Sequence, residues 1–92
     1  MKRILFLTIR KQWFDKIKDG IKTEEYREIK PYWDNRLLNP SNEFKEYDIV
    51  RFRNGYKKDS PCIDMEFKGI TIGLSPVFKK QTYIIHLGKR LE

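Results

Sequence analysis

The segment Gly20-Ile21-Lys22-Thr23-Glu24-Glu25-Tyr26-Arg27 concentrates the residue types that do chemistry. Lys22, Glu25 and Arg27 set an ammonium, a carboxylate and a guanidinium within a few positions of one another. A lysine offers a compact charge to phosphate and, once desolvated, can act as a base or nucleophile. An arginine offers a planar fork to phosphate or to a base edge. A glutamate can orient the lysine, accept from a base amino group, or act as a general base. Gly20 lets the backbone turn tightly and leaves room for a ligand. A surface ion-pair cluster on a hairpin is the competing reading of the same residues. In a regular strand Lys22 and Glu25 would point to opposite faces, so they share a site only if Lys22 still belongs to the turn after Gly20.

A second stretch, Arg51-Phe52-Arg53-Asn54-Gly55-Tyr56, mixes basic and aromatic residues before an Asn-Gly turn. With Phe52 inward, Arg51 and Arg53 share the opposite face. Arg53 and Tyr56 stand at the strand end and are taken as site members, one for phosphate and one for stacking on a base. Tyr32 and Trp33 are assigned to packing of a short helix, and Trp13 and Phe14 to the core. Asp64 and Glu66 share one strand face, where ion pairing with nearby lysines is expected. His86 is the single histidine and Cys62 the single cysteine. Together they exclude multi-histidine sites, cysteine zinc sites and an internal disulfide. Cys62, in a strand-like run, is expected to be a buried or half-buried inert thiol. No metal and no cofactor is called for.

Hydrophobic periodicity sets the elements that must position these residues. Ile4 to Ile9 reads as a buried strand. Lys11 to Asp19 reads as a helix with Trp13, Phe14 and Ile17 on one face, started near Thr8 and ended by Gly20. Thr23 to Ile29 reads as a strand broken by Pro31, which opens a short helix to Leu38. Strands are expected at Tyr47 to Phe52, Ile63 to Phe67 and Tyr83 to Leu87, with a bulge or bend between Gly69 and Gly73. Such a list of five or six short strands and one or two helices suits an α+β fold built on a small closed barrel, because closure removes exposed edges.

The chain has 92 residues, room for one domain, placed at residues 1–90. Leu91-Glu92 resembles a cloning remnant and is set aside. A formal net charge of +7 and two tryptophans, five tyrosines and six phenylalanines suit a nucleic-acid or nucleotide partner. No stretch approaches the roughly 20 apolar residues of a membrane span, and the first apolar run is too short for a signal peptide. A cytoplasmic location is expected. The oligomeric state is left open, with a monomer favoured.

The pattern G-x-K-x-x-E-x-R after a short helix resembles the signature of the ASCH domain, a relative of the PUA RNA-binding fold. Gly20, Lys22, Glu25 and Arg27 fill its four positions. Leu5 to Ile9, Glu25 to Trp33, Val50 to Tyr56 and Ile84 to Gly88 are also similar to compact bacterial and phage members, so the resemblance covers nearly the whole chain. It implies a PUA-like β-barrel with the helix at one mouth and the motif lining a cleft. It further implies binding of RNA or a modified nucleoside or nucleotide. Some members hydrolyse the acetyl amide of N4-acetylcytidine, with a catalytic threonine three positions after the motif lysine. Here that position is Glu25, a departure from the hydrolase pattern. Three functions follow as expectations. The first is an RNA- or nucleotide-binding module built on Lys22, Glu25, Arg27, Arg53 and Tyr56. The second is a small hydrolase with Lys22 and Glu25 as catalytic pair. The third is a protein-interaction barrel.

Overall fold

The structure is a computed structural model that describes residues 2–91. The elements run β1 (Ile4–Ile9), α1 (Lys11–Lys18), β2 (Glu24–Arg27), α2 (Pro31–Leu37), β3 (Ile49–Asn54), β4 (Cys62–Leu74) and β5 (Gln81–Leu91). They form one five-stranded mixed sheet in the order β1-β3-β4-β5-β2. β1 pairs with β3 in parallel, and the other pairings are antiparallel.

Alternation explains which side of the sheet is filled. Leu5, Leu7 and Ile9 of β1, Val50 and Phe52 of β3, Ile63 and Met65 of β4, and Tyr83, Ile85 and Leu87 of β5 are buried together. Phe14 and Ile17 of α1 and Leu37 of α2 cover the same face. Tyr83 is fully packed, yet its hydroxyl donates to Asp34 of α2 at 2.5 Å, which pins that helix to β5. Burial, then the Asp34 bond, push the Tyr83 phenol up to about 12. The irregularity in β4 lies upstream of the span expected between Gly69 and Gly73: it is a pair of register shifts between Met65 and Gly69 within one long strand. Gly69, at φ +118°, takes there a conformation other residues rarely adopt.

The expected closed barrel is not formed: β1 and β2 remain the two edges of an open sheet. The reason lies in β2. Its ladder is four residues long, limited by the Gly20 turn before it and by Pro31 after it. The Leu87 N–H donates to the Thr23 carbonyl, so the next residue, Glu24, turns its carbonyl to the free edge. The Lys22 ammonium takes that carbonyl in place of a neighbouring strand. A short edge capped by charged side chains is protected without closure.

Other differences are local. α1 has Arg10 at its N-cap and no side-chain cap, so Thr8 does not start it. β3 begins two residues later than expected, after Asp48 turns aside to accept from the Arg3 N–H. Cys62 is exposed, not buried, because it opens β4 opposite Arg53 on the outer face. Leu91, set aside as a remnant, pairs with Asp64 at the end of β5, while Glu92 and Met1 lie outside the described residues. No helix among the described residues is long and apolar enough to cross a membrane.

Candidate functional site

The site begins at the end of α1. Gly20 adopts φ +77°, and the Ile21 and Lys22 N–H groups both donate to the Lys16 carbonyl at 2.9 and 3.1 Å. The chain therefore folds back across the helix terminus, and Lys22 sits in the turn, two residues before β2 starts. This meets the geometric condition for Lys22 and Glu25 to meet. Within β2 the period of two puts Glu25 and Arg27 on one face, opposite Ile85 and Tyr83 of β5.

The three charges close into a linear triad. Lys22 Nζ lies 3.1 Å from Glu25 Oε1, and Arg27 Nη2 lies 2.5 Å from Glu25 Oε2. The side chains are only 13%, 10% and 18% exposed, for Lys22, Glu25 and Arg27 respectively. At such depth screening by water is weak, and the triad is held more firmly than the exposed pairs elsewhere on the molecule. Aromatic faces flank both cations. Lys22 Nζ stands 4.9 Å from the Tyr26 ring centre and 5.9 Å from that of Trp13, and the Arg27 guanidinium stands 4.9 Å from that of Trp33. Arg27 Nε is buried without a hydrogen-bond partner.

A cleft of about 850 Å³ opens above this floor, in the gap that a closed barrel would have sealed. Its size is within the range of small-ligand sites. Trp13, Trp33, Tyr56 and Phe78 supply aromatic wall, and Arg10, Lys11 and Lys30 supply charge at the rim. Lys11 is paired with Asp15 at 2.6 Å, which raises its pKa and keeps it charged. The Gly55 N–H donates to the Ile9 carbonyl, which ties the Asn54-Gly55 turn to β1 and brings Tyr56 to the mouth with 89% of its surface free.

Four of the five expected site residues, Lys22, Glu25, Arg27 and Tyr56, therefore line one cleft. Arg53 does not. It alternates with Phe52 onto the outer face of β3 and lines a separate hollow with Phe6, Arg51 and Cys62. Trp13 and Trp33 pack against the core as expected, and their other sides line the cleft. The signal for the open side of Trp13 is that it precedes the buried Phe14 and so stands at the margin of the helix's apolar stripe.

Behind β2, on its outer face, runs a polar chain. Tyr26 donates to Glu24 Oε1 at 2.6 Å, Glu24 Oε2 lies 3.5 Å from His86 Nδ1, and His86 Nε2 lies 2.7 Å from Thr71 Oγ1. Burial first, then the Glu24 bond, push the Tyr26 phenol up to about 12, so it remains a donor at neutral pH. Glu24, His86 and Thr71 are not among the residues that line the cleft. Asp64, expected to pair with a lysine, instead forms a two-pronged pair with Arg51 at 2.7 and 2.9 Å. Glu66 lies 3.4 Å from Lys68. Among the described residues no cluster of His, Cys, Asp and Glu could hold a metal ion.

No family model, curated protein or solved structure matches the chain.

Proposed function

We propose that this chain is an ASCH-type, PUA-like domain whose cleft binds RNA or a nucleotide. The observation that carries the reading is the cleft itself: an ordered Lys22–Glu25–Arg27 floor, aromatic walls and a cationic rim meet in one opening. Each part suits a piece of a nucleotide. A base stacks on an aromatic ring, its edge bonds to buried polar groups, and its phosphate stays near solvent against arginine or lysine. The G-x-K-x-x-E-x-R motif supports the same family, since its defining residues are the ones that build the floor.

Titration of tryptophan fluorescence with short single-stranded RNA at a series of salt concentrations tests the proposal. Trp13 and Trp33 report directly, since both line the cleft. Contact of about three phosphates with the rim gives a log–log slope of roughly −2 in salt. Absence of any fluorescence change at low salt, with RNA or with mononucleotides, would refute it.

A further inference from the structure

We propose that Glu25 reads the base: it selects a ring with two adjacent N–H donors, of which guanine is the common nucleobase, while phosphate stays on the rim. The inference rests on the nucleotide-binding reading of this cleft and adds which part of the ligand meets which group.

The pairing within the triad carries it. Both cations of the floor pair with Glu25, one to each oxygen, and the Arg27 Nε that lacks a partner is itself buried. Lys22 also holds the Glu24 carbonyl. A phosphate entering the floor would meet a carboxylate and would have to strip its partners away. Glu25 is 8% exposed and fixed from two sides, so it does not swing aside to admit an anion. The floor is a poor phosphate site for these reasons, although it contains a lysine and an arginine.

The same pairing makes it a good donor-reading site. An ionised carboxylate has about four acceptor positions and no donor. The two cations use one position on each oxygen, which leaves one on each for a ligand. Two free acceptors side by side match two donors side by side. Guanine presents N1–H and the N2 amino group in that arrangement on its Watson–Crick edge. Inosine lacks the second donor. Uracil has one N–H flanked by two carbonyls, which would face the carboxylate with like partial charge. Discrimination then comes from leaving a buried acceptor unpaired or repelled, as well as from the bonds made. Arg10, Lys11 and Lys30 at the rim remain to hold the phosphate.

The test is a set of two-dimensional NMR titrations of the full chain with GMP, IMP, UMP and ribose 5-phosphate. GMP is expected to move the Lys22, Glu25 and Arg27 signals and to bind about ten- to a hundredfold more tightly than IMP or UMP. Ribose 5-phosphate is expected to move only rim signals, at Arg10, Lys11 and Lys30. In Glu25→Gln the advantage of GMP over IMP is expected to vanish, and the wild-type ligand series decides the matter even if that variant does not fold. Equal affinity for GMP, IMP and UMP in the cleft would overturn the assignment of Glu25 and leave the nucleotide reading intact. Shifts of Lys22 and Arg27 with ribose 5-phosphate alone would overturn it too, by making the floor a phosphate site. No cleft shift with any of the four would overturn it together with the nucleotide reading.

Discussion

At the scale of single residues, the energetics of the triad follow from how little water reaches it. Arg27→Ala leaves the Glu25 carboxylate with one of its two cationic partners while it stays buried. A loss of about 1–3 kcal/mol in urea unfolding is expected, the usual cost of a buried charged group deprived of a hydrogen bond. Removal of Tyr56, which is almost wholly exposed, is expected to leave stability unchanged and to weaken ligand binding. A variant that loses both equally would place Tyr56 in the fold and not in the site. The outer face offers a pH test. The Arg51 guanidinium, bonded to Asp64, holds that carboxyl below its ordinary value of 3.8. A lowered native pKa means stability that is present above 3.8 and is lost as pH falls below it towards the native value. Asp64→Asn is therefore expected to flatten the acid limb of stability below about pH 4, read by thermal unfolding across pH. An unchanged acid limb would show that the pair contributes nothing.

Among the elements, the turn between α1 and β2 decides whether the site exists. Gly20 stands at φ +77° with open space where a Cβ would be placed, so Gly20→Ala introduces strain without a clash. The expected cost is about 1–2 kcal/mol, and binding should fall further than stability because Lys22 is displaced from Glu25. This turn was legible in the sequence, since a glycine after an amphipathic stretch is a helix stop and the motif follows at once. The order and type of the elements were legible for the same reason: periods of two and of 3.6 separate β4 and β5 from α1. Openness of the sheet was not. Whether β1 meets β2 depends on the few residues of β2 and on a lysine that caps an edge carbonyl, and neither leaves a periodic trace. Arg53 lies outside the cleft because it alternates with buried Phe52 onto the outer face, a placement the sequence already carried. The cleft role of Trp13 and Trp33 was hidden because a ring that packs on one side and is open on the other has the same sequence pattern as a core residue.

For the whole molecule, a shared core supports sheet and helices alike, and the cleft is what remains where the sheet fails to close. Phe52 is fully buried at the centre of that core. Phe52→Ala is expected to cost about 3–5 kcal/mol, a large part of the stability of so small a domain. The formal net charge of +7 belongs to this scale too, since such an excess raises the local concentration of any polyanion present, whatever the cleft holds. General attraction and specific seating must therefore be separated. The most direct measurement is a two-dimensional NMR titration of labelled protein with short single-stranded RNA, at low salt and again at physiological salt. Saturable shifts are expected at Gly20 to Arg27, Trp13, Trp33 and Tyr56 that persist at the higher salt, with little change at Arg53. Shifts scattered over the lysine-rich surface that vanish as salt rises would contradict the nucleotide reading, since they would leave a basic protein with no nucleotide seated in the cleft.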